Sequence, residues 1–234
     1  MFKDFELKRI CRTSTYNLSS QSQVRYEHSY SKPLYLTTTR MTMGPARRHV
    51  SDNKDAASLG QALKFEFSGQ TARNRFLKGA MTELLSSWDA DNVEARGVPS
   101  EDLVNLYRIF GQGDIGLMLS GNIMIDHDHL EAAGNAIIPR GSIFSGARFE
   151  AFKRMAAAAK MHGSLFIGQV SHPGRQVKSN IQKHPISASD VQLEGNILGS
   201  TFEKPRAATK EDITNVVEGF THFHATNKST FQTS

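Results

Sequence analysis

The 234-residue chain has 28 Lys and Arg against 23 Asp and Glu, a formal net charge of +5 and a single cysteine, Cys11. A hydrophobic content of 38% excludes a disordered chain, no apolar run reaches the ~18 residues of a spanning helix, and one cysteine excludes an internally disulfide-stapled fold. The sequence pI near 9.3 points toward nucleic acid or a membrane surface, but the excess charge lies in residues 1–50, and the near-neutral remainder leaves no basic stripe for phosphates.

Residues 1–50 are rich in Ser, Thr, Tyr and Arg, have no sustained apolar period, and read as a basic, disordered leader. The expected location is cytoplasmic. An Arg- and Ser-rich, acid-poor start also suits a mitochondrial presequence, which stands as the alternative. Residues 51–234 form the globular body. Leu63–Phe67 alternates apolar and polar residues and predicts a short strand, residues 69–74 a turn, and residues 75–81 a second strand, together a short N-terminal hairpin. Ser100 is a predicted N-cap for a helix burying Leu103, Leu106, Tyr107 and Phe110, with Gly111 as its stop. Ile115–Leu119 predicts a buried strand. Ser145 predicts a cap for a helix with Phe149, Phe152, Met155, Ala156 and Ala159 at 3/4 spacing, and Leu165–Val170 a further strand. Thr209-Lys-Glu-Asp212 has capping-box character ahead of Ile213, Val216, Val217 and Phe220. The β-α-β-α-β-α order predicts parallel strands covered by helices.

Gly111-Gln-Gly113-Asp-Ile-Gly116 has dinucleotide-fingerprint spacing, but a helix precedes it and a strand follows, the reverse of what a pyrophosphate at a helix N-terminus needs. These glycines are expected to close one helix and turn the chain into the next strand. His127-Asp-His129 and His222-Phe-His224 have ligand-like spacing. Without an H-E-x-x-H or a cysteine pair, the expectation is no metal, and a metal-dependent hydrolase is the weakest reading. There is no G-x-S-x-G elbow and no P-loop. Polar or small residues remain at the C-terminal ends of the three apolar strands: Ala80-Met81-Thr82, Ser120-Gly121-Asn122 and Gln169 to Arg175. In a parallel barrel that end carries the active site.

Five segments in order, residues 74–83, 115–122, 168–176, 185–190 and 205–212, resemble the NADH:flavin oxidoreductases of the old yellow enzyme family. The resemblance implies a TIM barrel, FMN as cofactor, NAD(P)H as reductant, and hydride delivery to a small enone-like substrate. The near-neutral body and the lack of a spanning apolar run leave the expectation of no nucleic-acid and no membrane partner. Ala80 and Met81 match the positions lying against the flavin ring, and Thr82 the one bonding near its O4/N5 edge. Gly121 matches the small residue that lets the backbone approach, and Gln169 the amide on the pyrimidine edge. His172 or Arg175 is expected to add positive potential, with a loop-bracing Arg175 as the alternative.

Against that family the expected fold class is α/β, a partial TIM (β/α)8 barrel of about the first three βα units. The family's substrate-binding pair after strand four has no counterpart here, so no catalytic residue is assigned. The expectation is an N-terminal portion of an FMN-dependent oxidoreductase that binds FMN weakly or not at all by itself. The alternative is a non-catalytic partial barrel that contacts a full-length homologue or a second copy.

Overall fold

The computed structural model describes residues 55–230, with side chains as far as residue 225. The expected leader over residues 1–50, and Cys11 with it, lies outside the described residues. After a 3-10 turn at Ala57–Gly60, β1 (Leu63–Lys64) and β2 (Thr71–Ala72) form an antiparallel hairpin with Leu63 opposite Ala72. β2 falls inside residues 69–74, which the sequence reading assigned to turn. Gly69, at φ 70°, closes the turn by donating its N–H to Phe65 O at 2.9 Å, so the return strand begins soon after. Phe67 is therefore at the tip and fully exposed rather than in a strand.

The elements that follow are β3 (Leu77–Lys78), α1 (Glu101–Gln112), β4 (Leu117–Met124), β5 (Ala136–Ile137), α2 (Gly146–Lys160) and β6 (Leu165–Ser171). Then come β7 (Ile186–Ser187), β8 (Arg206–Ala207) and α3 (Lys210–Thr230). β4 is central. It pairs parallel with β6 along one edge, and with β3 then β5 along the other. β7 and β8 pair parallel with each other, within the long connection from β6 to α3. The strand expected over 75–81 contracts to two residues, because Asn74 Oδ1 accepts from the Phe76 N–H at 3.1 Å and holds the entry as a turn.

α1 starts as predicted: Ser100 Oγ accepts from Leu103 N at 3.2 Å, with Glu101 and Asp102 at the positive end of the helix dipole. It runs through Gly111 instead of stopping there. A Cβ on Gly111 would lie 2.8 Å from Ala158 O and 2.9 Å from Ala159 O, so this glycine lets α1 close on α2. Gly113 is the actual cap, and Asp114, at φ 59°, turns the chain toward β4. Ser145 precedes α2 in extended conformation, but its side chain makes no cap bond. α3 continues to Thr230, past Phe220 where the apolar pattern fades, since residues 221–230 contain no Gly or Pro to break it.

The helices bury one face of the sheet. Leu103, Tyr107, Met118, Ile123, Phe152, Met155, Phe166 and Phe223 form one cluster between them. The other face carries in-register rows of Leu77, Leu117 and Leu165, then Leu119 and Ile167. No described element covers these rows: Leu77 is 56% and Ile167 46% exposed.

Thr209, just before α3, closes a reciprocal capping box. Its Oγ1 accepts from Asp212 N at 3.2 Å, while Asp212 Oδ2 accepts from Thr209 N at 2.7 Å. Arg206 adds a two-pronged bond to the same carboxylate, at 2.5 and 2.8 Å. Arg206 first, then Thr209, hold the Asp212 carboxyl below the usual carboxylate range. Thr209→Ala is expected to cost about 1 kcal/mol of stability, read as a lower urea midpoint with unchanged slope.

Candidate functional site

The segment Ser120-Gly121-Asn122 lies within β4, not beyond its end. There the ladder to β6 slips: Leu119 faces Ile167, but Asn122 faces Gln169, one extra residue on β4. At this bulge Ser120 Oγ accepts from the Gln169 N–H at 2.8 Å, replacing a ladder acceptor, and donates to Gly121 O at 2.7 Å.

Gly121 is buried, and its N–H is shared between Glu83 Oε1 at 2.9 Å and the Tyr107 hydroxyl at 3.0 Å. A Cβ at 121 would overlap the Glu83 carboxylate and the Met81 carbonyl. The contact between β4 and the segment after β3 thus demands glycine by itself. The Tyr107 hydroxyl donates to Glu83 Oε1. Lys78 Nζ lies 3.7 Å from the same oxygen and donates to Leu119 O at 2.9 Å. Burial holds Lys78 below the ordinary lysine value against the pull of Glu83. Burial first, then the Glu83 hydrogen bond, pushes the Tyr107 phenol up.

A second polar array joins the strand ends. Thr82 Oγ1 donates to the Glu131 carboxylate at 3.0 and 3.2 Å, and Asn122 Nδ2 donates to Glu131 Oε2 at 2.5 Å. Gln169 Nε2 donates to Asn122 Oδ1, as does Ser171 Oγ at 2.8 Å. Thr82 and Gln169, both expected at the site, are thereby brought together through Asn122 and Glu131. Ala80 and Met81 adjoin them with exposed side chains.

Glu131, Glu83 and Lys78 were not anticipated, and Tyr107 was placed only on an apolar helix face. One signal was available: a buried tyrosine needs a partner for its hydroxyl.

His172 stacks on His129, with ring centroids 5.1 Å apart. Its Nδ1 accepts from Gly174 N at 3.3 Å, and its buried Nε2 has no hydrogen-bond partner among the described residues. Burial, then the charge of His129, hold His172 below its ordinary value, so it is neutral at neutral pH. Of the pair expected to add positive potential, Arg175 is the charged one. It is exposed and makes a 3.5 Å contact to Val191 O.

The H-x-H pairs diverge. His127 Nε2 meets Glu94 at 3.2 Å, whereas His129 Nδ1 meets Asp128 at 2.7 Å and Asp126 at 3.6 Å. His222 stacks on Phe144, and His224 is exposed. Asp126, Asp128 and His129 bring potential ligand atoms within 4.8 Å of one another. Ion pairing of the imidazole between two carboxylates accounts for that geometry.

The family model of the NADH:flavin oxidoreductase / NADH oxidase family matches residues 61–231. The chain belongs to this family. It is 51% identical over 168 residues to an NADH-dependent flavin oxidoreductase, nadA of Aspergillus parasiticus, a match covering 72% of this chain and 38% of the relative. Among solved structures it resembles the old yellow enzyme homologue of Zymomonas mobilis, with TM-score 0.60, 22% identity, and 74% of this chain and 46% of that one covered. It also resembles the old yellow enzyme of Trypanosoma cruzi, with TM-score 0.61, 18% identity, and 75% and 48% covered. These structures show the fold, part of a TIM barrel. The chain spans less than half the length of these relatives.

The His129 cluster sets a pH dependence within this fold. Burial opposes its charge, but the hydrogen bonds to Asp126 and Asp128 prevail, and His129 titrates at about 9 instead of 6.5. Its bonds to the two carboxylates stabilise the folded chain fully below pH 6.5, and that contribution is lost as pH rises through about 9. Urea midpoints of the wild type should therefore decline over this interval. His129→Gln should lack that component.

Proposed function

We propose that this chain supplies the flavin-ring side of an FMN-dependent NADH oxidoreductase of the old yellow enzyme type. The observation that carries the reading is the array running from Thr82 through Glu131 and Asn122 to Gln169, beside exposed Ala80 and Met81. The donor set suits a flavin edge. Thr82 offers a hydroxyl, and the Gln169 amide both donates and accepts, as a ring edge with N–H beside carbonyl oxygens requires. Ala80 leaves room for a flat ring near the backbone.

When bound, FMN supplies hydride transfer between NAD(P)H and an electron-poor alkene such as a 2-enone. This chain's residues bind and orient the ring. Thr82 has one proton to donate, so its bond to Glu131 must open before the hydroxyl can serve the flavin. Arg175, exposed on the loop after β6, contributes positive potential, while His172 remains neutral.

The uncovered rows of Leu77, Leu117, Leu165, Leu119 and Ile167 favour a second reading, a non-catalytic partial barrel that associates with a homologue or a second copy. A flavin absorption spectrum, with NADH and NADPH oxidation each measured on a 2-enone, separates the two. Bound flavin with turnover supports the first reading; a colourless oligomer supports the second. Within the first, Gln169→Ala is expected to weaken FMN binding about tenfold, measured by quenching of flavin fluorescence. Arg175→Ala with unchanged FMN affinity and turnover would leave Arg175 as a brace for the Val191 loop.

A further inference from the structure

Behind the array just described, on the helix-covered side of the sheet, lies a second polar cluster that the flavin reading does not use. Glu83 follows directly on Ala80-Met81-Thr82. Its side chain is 9% exposed, and that of Lys78 is 7% exposed. The carboxylate accepts from the Tyr107 hydroxyl and the Gly121 N–H, with the Lys78 ammonium nearby. Lys78 is further held between the rings of Tyr107 and Phe110, at 5.1 and 5.0 Å from their centroids. A buried ion pair of this kind contributes little net stability over apolar residues of similar size. What it does provide is directional bonding at one point, the amide of Gly121.

We propose that Glu83 is a positioning residue: held by Tyr107 and Lys78, it clamps the Gly121 amide and fixes the Ala80–Thr82 segment against the β4 bulge. These are the two backbone stretches expected to lie against the flavin ring, so the inference rests on the function proposed above. The fit is tight. No Cβ can be placed at 121 without overlapping Glu83 and Met81, so a small shift of the carboxylate moves one stretch relative to the other. Without the clamp, the described bonds from the β3 side to β4 are the two-residue ladder of Leu77 and Lys78, the Leu117 N–H to Phe76 O, the Lys78 ammonium to Leu119 O, and, beyond Ala80, the exposed link from Thr82 through Glu131 to Asn122.

The test uses two double variants of the full chain. Lys78→Met with Glu83→Gln removes the charge pair but keeps an acceptor oxygen for the Gly121 N–H. Lys78→Met with Glu83→Leu removes the Glu83 acceptor, leaves the Gly121 N–H with the Tyr107 hydroxyl as its weaker partner, and fills the space with apolar atoms, a replacement that buried ion pairs tolerate. Hydrogen exchange of the Gly121 amide, read by NMR without any flavin, decides the clamp itself. The Leu variant should exchange about tenfold faster at this site with α1 and α2 protection unchanged, and the Gln variant should stay near wild type. Equal Gly121 exchange in wild type and the Leu variant overturns the clamp. FMN affinity, read by fluorescence quenching, tests its purpose. About tenfold weaker binding in the Leu variant, restored in the Gln variant, supports positioning. Equal affinity in all three overturns it. If the wild-type chain binds no FMN, the proposed function fails, and the exchange result still decides whether Glu83 holds Gly121.

Discussion

The one-residue slip between β4 and β6 governs the geometry of the whole site. Up to Leu119 the two strands keep strict alternation, and Met118 and Phe166 both point into the helix-covered core. Continued without a break, that period of two would place Asn122 on the same side as Met118 and Ser120, under the helices. The extra residue reverses the phase. Asn122 comes out on the open face opposite Gln169, and Gly121 turns inward toward Tyr107 and Glu83. Ser120 makes the slip affordable by accepting, through its hydroxyl, the ladder bond that the bulge would otherwise orphan.

The bulge also separates two polar groupings of different physical character. On the open face, Thr82 and Asn122 donate to the half-buried Glu131 and Gln169 donates to Asn122, at bonds near enough to solvent that exchange of partners costs little. On the covered face, Lys78, Glu83 and Tyr107 have lost most of their water, so removing one member leaves an uncompensated buried group, at a cost of about 3–5 kcal/mol for a buried ion pair. A rigid inner cluster thus backs a loosely held outer one. That suits a surface that must present fixed backbone while its side chains exchange an internal partner for a ligand.

The parts of the fold set by local rules were legible in the sequence. Ser100 caps α1, Thr209 and Asp212 close the box ahead of α3, and the 3/4 spacing from Phe152 to Ala159 marks the buried side of α2. Thr82 and Gln169 were legible as site candidates through the family resemblance, and the structure brings them into one array. What escaped was set by distance along the chain. Glu131 reaches Thr82 across 49 residues, and Glu83 reaches Gly121 across 38. The bulge has no signature in the run Leu117–Met124 beyond one glycine, and Gly111 looked like a helix stop because nothing local reveals the α2 carbonyls it faces. β7 and β8, two residues each, are too short to produce a period.

The overlap awaiting any Cβ at Gly121 binds two positions into a single unit of evolutionary change. Alanine at 121 needs both a shorter side chain at 83 and a displaced carbonyl at Met81. The order of events is therefore constrained: position 83 must shrink first, and the lineage that takes that step leaves Lys78 without its counter-charge until it too is replaced. Across descendants of this chain, residues 78, 83 and 121 should change as a set, with position 121 the last to move.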